Sequence, residues 1–356
     1  MKIIFVAGGT GGHIYPALTL ANELKNKGHE ILFIGSTTRM EKDVIPSSGF
    51  KYIGLDVSIP KGSIFNKAKS FFSLAKAYSK CKDIVKEYDV AIGFGNYISL
   101  PVMFAAKKLG LKTIIHEQNS FAGKANLFLD KKMDYVICSY DDNLKQFKNP
   151  NTFVYGNPQS YKALLEKDNR ECIKDLGLDP NKKTILIFMG SLGSSSVDKV
   201  LLEFFLKTDG SYQVIYARGN DHDEDLSKYS FGNHIAIKDK VDGTKFIKNT
   251  DLIIARSGAT TVSEIIACGK PSILIPSPFV PENHQYYNAL PLSKTGATIL
   301  IEENKLTSDV LLETANSIIK SDDKLKQMGL AAKSLLKDNI IENIVGIVEK
   351  KWLVNF

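Results

Sequence analysis

Short apolar runs of strand length alternate with helical patterns in the first half of the chain, and this alternation restricts the fold more than any other feature. The runs Ile3 to Ala7 and Ile31 to Ile34 enclose a helical pattern from Ile14 to Lys27, and further runs follow at Val90 to Phe94 and Thr113 to His116. Such alternation predicts βαβ units and a parallel sheet.

The second half repeats the pattern, with runs at Thr184 to Met189, Val214 to Ala217, Leu252 to Ala255 and Ser272 to Ile275. A length of 356 residues also fits two domains. Glycine and proline in Val154 to Pro158 interrupt the pattern, so we predict domains over residues 1–156 and 157–337. The apolar residues Ile341, Val345, Val348 and Trp352 share one helical face. A helix over about 338–356 is expected to pack on the first domain.

Composition restricts the class of protein. Hydrophobic residues at 44% and charged residues at 24% are typical of a globular chain. The cysteines are Cys81, Cys138, Cys172 and Cys268, with no C-x-x-C pair, so neither a disulfide framework nor a zinc site is expected and a reducing cytosol fits best. No apolar run resembles a signal peptide or could span a bilayer. The net charge of +7 favours anionic partners (phosphates, nucleic acid or lipid head groups) without choosing among them.

The loop Gly8-Gly9-Thr10-Gly11-Gly12-His13 follows the first strand and begins a helix. A glycine turn in this position lets backbone N–H groups approach a phosphate. The dinucleotide fingerprint is absent, because Ile14 takes the place of its third glycine and the next strand ends in Gly35-Ser36 without an acidic residue. A P-loop lysine is also absent. Two other interpretations remain open. The glycines could serve only a tight turn instead of a phosphate site. His13 could be a structural hydrogen-bonding residue rather than a general base.

A second strand-turn-helix segment runs from Asp251 through Arg256-Ser257-Gly258 to Glu264. Thr261 and Glu264 have the spacing of a capping box, which would make this an ordinary capped helix. Alternatively, the helix directs its positive N-terminus at a diphosphate while Glu264 accepts hydrogen bonds from ribose hydroxyls.

Two polar segments offer weaker signals. Asn283 to Asn288 brings amide and aromatic groups together after a proline-rich turn, which suits either a sugar site or an ordinary polar loop. Asp221 to Asp225 could supply carboxylates to a metal, but no glycine frame fixes their geometry, and we interpret the segment as a solvated loop.

These motifs together resemble the bacterial MurG family in order and spacing. The resemblance rests on the first glycine loop, His116-Glu117-Gln118-Asn119, Gly156-Asn157-Pro158, the segment from Arg256 to Glu264, and His284 to Ala289. It covers nearly the whole chain. It implies a GT-B fold, with two Rossmann-like parallel-sheet domains facing across a cleft.

The family resemblance implies an enzyme that moves N-acetylglucosamine from UDP-N-acetylglucosamine to the muramic-acid 4-hydroxyl of undecaprenyl-linked lipid I. Inversion without a metal or cofactor is implied, with His13 as the catalytic base. No nucleic-acid partner is implied. The implied substrate-binding residues are Thr10, Gly11, Gly12, Tyr97, Glu117, Asn119, Ser191, Val241, Ala259, Thr260, Thr261, Glu264, Gln285 and Asn288.

Three positions depart from the family pattern. Ser160 stands where an arginine usually reaches a donor phosphate, and Gly190-Ser191-Leu192-Gly193 replaces a loop that usually reads Gly-Gly-Ser-Gln-Gly. Gly95-Asn96-Tyr97 replaces a double glycine before the tyrosine. The first two departures lead us to expect donor phosphate binding that is weaker or differently arranged, whereas the third lies on the presumed acceptor side.

A lipid-linked acceptor also implies a peripheral enzyme on the cytoplasmic side of the membrane. Residues 61–82 interleave apolar side chains with lysines, which suits insertion among anionic head groups or, alternatively, a core helix with lysines on its wet face. Three other functions remain possible from the sequence: a different GT-B transferase, a UDP-sugar epimerase of the same fold, and a non-catalytic sugar-nucleotide-binding scaffold.

Overall fold

The computed structural model describes residues 1–57, 64–190, 193–219 and 225–350, without the side chains of 64–71 and 227. The chain forms two compact units. Unit 1 comprises Met1–Gln159 and Lys337–Phe356, and unit 2 comprises Ser160–Leu336. The division falls a few residues after the position predicted from the glycine and proline.

Unit 1 contains a parallel sheet of seven strands among its described residues. Its elements are β1 (Lys2–Val6), α1 (Gly11–Asn26), β2 (Glu30–Ser36), α2 (Glu41–Ser47), β3 (Lys51–Leu55), α3 (Ile64–Val85), β4 (Val90–Gly93), α4 (Ser99–Lys108), β5 (Lys112–Glu117), α5 (Lys124–Leu129), β6 (Tyr135–Cys138) and β7 (Thr152–Val154).

The strand order in unit 1 is β3-β2-β1-β4-β5-β6-β7. Ile3, Ile4, Phe5 and Val6 are fully buried, as expected when helices cover both faces of a parallel sheet. Strand β1 pairs with β2 on one side and with β4 on the other. The order of the strands therefore reverses between β1 and β4, and ligands of open α/β sheets bind beyond the strand ends at such a point.

In its described residues, unit 2 contains a parallel sheet of six strands, in the order β10-β9-β8-β11-β12-β13. Its reversal point lies between β8 and β11. Its elements are α6 (Pro158–Leu165, which begins just before the unit), β8 (Thr184–Phe188), α7 (Ser195–Lys207), β9 (Gln213–Ala217), β10 (Ile235–Lys238), α8 (Gly243–Asn249), β11 (Leu252–Ala255), α9 (Ala259–Cys268), β12 (Ser272–Leu274), α10 (His284–Lys294), β13 (Thr298–Leu300), α11 (Ser308–Ile319) and α12 (Asp322–Lys333). The prediction of two Rossmann-like parallel-sheet domains is confirmed.

The last described helix, α13 (Ile340–Glu349), belongs to unit 1. Its residues Ile341, Val345 and Val348 are buried, whereas Trp352 lies outside the described residues. The buried Lys112 at the start of β5 donates from Nζ to the carbonyl oxygens of Ile347 and Val348, 3.0 Å each. A cation at the carbonyl end of a helix complements the helix dipole.

None of the helices in the described ranges is long and apolar enough to cross a membrane.

Candidate functional site

The sequence-predicted site residues that the structure describes fall into two groups, one in each unit, and both groups follow the carboxyl ends of strands. In unit 1, β1 ends in the first glycine loop, in which Gly9 has φ +89° and Thr10 is the last residue before α1. Thr10 Oγ1 and His13 Nδ1 are 3.0 Å apart, a hydrogen bond that fixes the orientation of the imidazole ring. Gly11 and Gly12 form the first turn of α1, where helix N–H groups point towards a ligand.

Glu41 holds this loop in place and was not predicted from the sequence. Its buried carboxylate accepts the Gly9 N–H at 3.0 Å through Oε2 and the Ser36 N–H and hydroxyl at 3.1 and 2.6 Å through Oε1. The dinucleotide pattern would place an acidic residue at the end of β2, where this chain has Gly35-Ser36. The acidic residue follows a few positions later, at the start of α2, and its side chain reaches back to the loop.

Tyr97 lies in the loop between β4 and α4, beside the first glycine loop. Its ring is half-buried and packs against the core of unit 1. Burial is the largest cause of the raised pKa of the Tyr97 phenol; the positive charge of Arg39 lowers this pKa and the negative charge of Glu41 raises it further. Tyr97 therefore stands close to the turn that carries Arg39 and Glu41, and its hydroxyl stays protonated at neutral pH.

The segment from His116 to Asn119 is built around a buried carboxylate at the end of β5. Glu117 accepts the Asn119 N–H at 2.9 Å and its side-chain amide at 3.2 Å through Oε1, and the Gly123 N–H and the Asn126 side-chain amide at 2.9 Å through Oε2. Burial raises the pKa of Glu117, and these hydrogen bonds oppose the shift. The Glu117 carboxylate is therefore buried, and its hydrogen bonds fix the orientation of Asn119.

In unit 2, the glycine turn after β11 leads into α9. Gly258 is the last residue before the helix, so Ala259, Thr260 and Thr261 form its first turn. The capping-box interpretation of Thr261 and Glu264 is wrong, because the helix begins before Thr261. Glu264 lies on the second turn and accepts the Thr244 hydroxyl at 2.7 Å through Oε1.

The predicted contact near Val241 lies at the start of α8, the helix that carries Thr244. Val241 is partly exposed and directly precedes Asp242, whose side chain caps α8 by accepting the Lys245 N–H. Both positions that the sequence assigned to the nucleoside, Val241 and Glu264, are therefore joined through α8 and α9.

Arg256 joins the two loops at the reversal point of unit 2. Its buried guanidinium donates to Ser194 Oγ at 2.7 Å and to the Ile275 carbonyl at 3.0 Å, and forms an ion pair with Glu303 at 2.5 Å. Ser194 directly precedes α7 and follows the second glycine loop. Ser191 and Leu192 of that loop lie outside the described residues, as does most of the acidic segment Asp221 to Asp225.

The amide residues of α10 are tied to the same turn. Gln285 accepts the Ser277 N–H at 2.8 Å through Oε1, and its carbonyl accepts the Ser257 hydroxyl at 2.7 Å. Because Oε1 faces an N–H donor, the other end of the Gln285 side chain is the NH₂ group. The Asn288 amide donates to the Ser257 carbonyl at 3.2 Å.

Ser160, the first departure from the family pattern, is buried, and its hydroxyl donates to the Ser263 carbonyl of α9 at 3.0 Å. The serine is therefore turned towards the helix backbone. No cluster of three or more His, Cys, Asp or Glu side chains in the described ranges could hold a metal ion.

Comparison with known proteins identifies the family. The glycosyltransferase family 28 N-terminal domain matches residues 3–138, and the family 28 C-terminal domain matches residues 184–344. A relative from Bacillus pumilus is 36% identical over 94% of this chain and 95% of its own, and one from Bacillus licheniformis is 34% identical over 98% of each. Both are named UDP-N-acetylglucosamine–N-acetylmuramyl-(pentapeptide) pyrophosphoryl-undecaprenol N-acetylglucosamine transferase. The chain belongs to the MurG family of glycosyltransferases.

The solved structures agree with this assignment at the level of the fold. Acinetobacter baumannii MurG superposes with a TM-score of 0.78 at 24% identity, covering 98% of this chain and 99% of that one. The predicted resemblance to the MurG family and the predicted glycosyltransferase class are both confirmed.

Proposed function

We propose that this chain transfers N-acetylglucosamine from UDP-N-acetylglucosamine to the 4-hydroxyl of the N-acetylmuramyl residue of lipid I, which yields lipid II for peptidoglycan synthesis. The observation that carries the proposal is the near full-length similarity to transferases of that name. The two reversal points, each with a glycine turn leading into a helix, support it because sugar nucleotides and lipid diphosphates both present phosphate groups.

Unit 2 is proposed to bind the donor. The first turn of α9, with Ala259, Thr260 and Thr261, would face the diphosphate, and Ser191 would contact it from the second glycine loop. Glu264 would accept hydrogen bonds from the ribose, and Val241 would contact the uracil through its backbone. The NH₂ group of Gln285 suits a sugar hydroxyl oxygen, and Asn288 lies one turn further along α10.

Unit 1 is proposed to bind the acceptor and to supply the base. Thr10, Gly11 and Gly12 would lie against a phosphate, with Tyr97 and the Glu117-oriented Asn119 as further contacts. His13 would take the proton of the attacking hydroxyl on Nε2, since Nδ1 is engaged by Thr10.

The proposed reaction is a single inverting displacement. The acceptor oxygen forms a bond to the anomeric carbon as the bond from that carbon to the UDP oxygen breaks, and UDP leaves with the electron pair. The backbone N–H groups at the N-terminus of α9 would stabilise the negative charge that develops on the diphosphate. The proposed mechanism does not use a metal.

Radiolabelled UDP-N-acetylglucosamine and a lipid I analogue, incubated with the purified chain with and without chelator, test the proposal. We expect a labelled lipid product at equal rates in both. UDP binding without transfer would indicate a non-catalytic protein, and turnover of the donor without acceptor would indicate an epimerase.

Substitution of His13 tests the base. His13→Ala is expected to lower kcat by about 10²-fold or more, the usual contribution of a positioned base, while UDP binding changes little. A kcat within a few-fold of wild type would rule out this role.

We further propose that unit 1 associates peripherally with the cytoplasmic face of an anionic membrane. An apolar pocket of unit 1 carries lysines among its lining residues, which are Leu74, Ala75, Tyr78, Leu100, Pro101, Phe104, Lys107, Lys108, Phe128 and Lys132. Phe72 and Phe128 are 72% and 55% exposed, which suits contact with lipid. Of the predicted patch 61–82, residues 61–63 and the side chains of 64–71 lie outside the described residues.

Vesicle co-sedimentation tests the membrane proposal. We expect binding to vesicles that contain anionic phospholipid and weaker binding to neutral ones, with Lys108→Glu and Phe128→Ser each reducing it several-fold. Lys326 is an exposed lysine of α12 in unit 2, so Lys326→Glu serves as the charge-matched control. Equal loss of binding in the Lys108 and Lys326 variants would contradict the location.

A further inference from the structure

Asn96 connects the two loops that meet at the reversal point of unit 1. The first glycine loop leaves β1, and the loop from Gly95 to Tyr97 leaves the neighbouring strand β4. Asn96 has φ +67°, a conformation that few residues other than glycine adopt and in which asparagine is the most tolerated. Backbone strain of this kind persists only where the surrounding structure holds it in place.

The side chain of Asn96 supplies that support through two hydrogen bonds. Its Nδ2 donates to the Gly8 carbonyl at 2.9 Å, and its Oδ1 accepts the Tyr97 N–H at 2.6 Å. The two partners fix the orientation of the amide, since only the NH₂ end can face a carbonyl and only the oxygen can face an N–H. A Cβ atom on Gly9 would lie 2.2 Å from Asn96 Nδ2, so the loops pack as closely here as a glycine permits.

The same two loops carry and flank His13. The Gly8 carbonyl that Asn96 holds belongs to the turn leading into α1, the helix on which His13 stands. On the other side, a Cβ atom on Gly95 would lie 3.4 Å from both Nε2 and Cδ2 of the His13 ring. The loop that contains Asn96 therefore packs against the ring as well as against the turn that precedes it.

We propose that Asn96 is a positioning residue for His13 and Tyr97. It cross-links the first glycine loop to the β4–α4 loop and so fixes the imidazole relative to the acceptor-binding residues. The inference rests on the function proposed above. In this role Asn96 would act without contacting substrate, and its removal would loosen the link between the two loops without removing any reacting group.

Two variants separate the two hydrogen bonds. Asn96→Gly tolerates the positive φ and removes both bonds. Asn96→Asp keeps the acceptor for the Tyr97 N–H but places a carboxylate oxygen against the Gly8 carbonyl in place of a donor. Asn339→Gly is the matched control, because Asn339 also has a positive φ, of +50°, and directly precedes α13, outside both loops.

Steady-state kinetics with both substrates measure the effect. We expect Asn96→Asp to lower kcat by about tenfold, because a misplaced base forfeits part of its contribution. Asn96→Gly should lower kcat by a smaller factor, because glycine is the usual residue of the family at this position. The KM for UDP-N-acetylglucosamine is expected to stay within twofold and the thermal midpoint close to that of Asn339→Gly. The acid limb of the pH–rate profile should also shift in both Asn96 variants and not in the control, since a general loss of stability would leave it unchanged.

Hydrogen exchange at the Tyr97 amide gives a second readout that needs no activity. Protection should fall at least tenfold in Asn96→Gly and persist in Asn96→Asp. If wild type transfers no sugar, the proposed function fails while the exchange pattern still tests the cross-link. Wild-type kcat in Asn96→Asp, or unchanged Tyr97 exchange in Asn96→Gly, would overturn the inference.

Discussion

At the scale of single residues, His116 shows how burial makes the stability of unit 1 depend on pH. The ring is fully buried at the end of β5, stacks on Phe94 at 5.1 Å and lies 3.1 Å from the Gly156 carbonyl through Nε2. Burial lowers its pKa from 6.5 to about 4. Between these two values the unfolded chain binds more protons than the folded one, so stability falls as the pH falls.

The predicted loss of unfolding free energy is about 3 kcal/mol from pH 6.5 down to pH 4, at about 1.4 kcal/mol per pKa unit. His116→Gln keeps an amide donor for the Gly156 carbonyl and cannot titrate, so its unfolding free energy should lose less over the same range. Chemical denaturation at pH 7 and pH 4.5, with hydrogen exchange at β5 to report on unit 1, measures the difference. Equal pH dependence in wild type and variant would show that another group is responsible.

At the scale of elements, α8 and α9 are joined by a buried hydrogen bond from Thr244 Oγ1 to Glu264 Oε1 at 2.7 Å, with both residues nearly inaccessible to solvent. Thr244→Val keeps the shape of the side chain and removes the hydroxyl that donates to Glu264 Oε1. Because Glu264 is proposed to accept hydrogen bonds from the ribose of the donor, we expect the KM for UDP-N-acetylglucosamine to rise about fivefold or more. The kcat should be nearly unchanged.

Thr250→Val is the control for that substitution. Thr250 is buried just after α8 and donates to the Phe246 carbonyl at 2.7 Å, so its loss costs a similar hydrogen bond away from Glu264. If both variants raise the donor KM equally, the bond between α8 and α9 has no special role in donor binding.

At the scale of the whole molecule, the sequence predicts the fold well and the site only in part. Strand-length apolar runs and glycine turns are local features, so both sheets and the loops at Gly8 and Gly258 can be predicted from them. The side chains that hold these loops cannot be predicted in this way. Glu41 contacts Gly9 across 32 residues of chain, Asn96 contacts Gly8 across 88, and Arg256 contacts Ser194 across 62. Only the folded sheet brings these residues together.

Chain connectivity leads to a last prediction about how the two units fold. Unit 2 is one continuous segment, and one hydrophobic cluster of its described residues runs from Ile185 to Met328. Unit 1 is interrupted and includes α13, whose buried side chains are Ile340, Ile341, Ile344, Val345, Ile347 and Val348. Burial of one such side chain stabilises by about 1.5–3 kcal/mol, so their combined loss rivals the entire stability of a typical domain, about 5–15 kcal/mol.

Deletion of residues 337–356 should therefore unfold unit 1 and leave unit 2 folded. The isolated segment 160–336 should fold and bind UDP with a Kd within about tenfold of that of the full chain. Hydrogen exchange measured peptide by peptide distinguishes the units, because β1, β4 and β5 should lose protection in the deletion while β8 and β11 keep it. Persistent protection of β1 in the shortened chain would show that the sheet of unit 1 is stable without its C-terminal helix. Loss of protection in both units would show instead that unit 2 requires a folded unit 1 for its own stability.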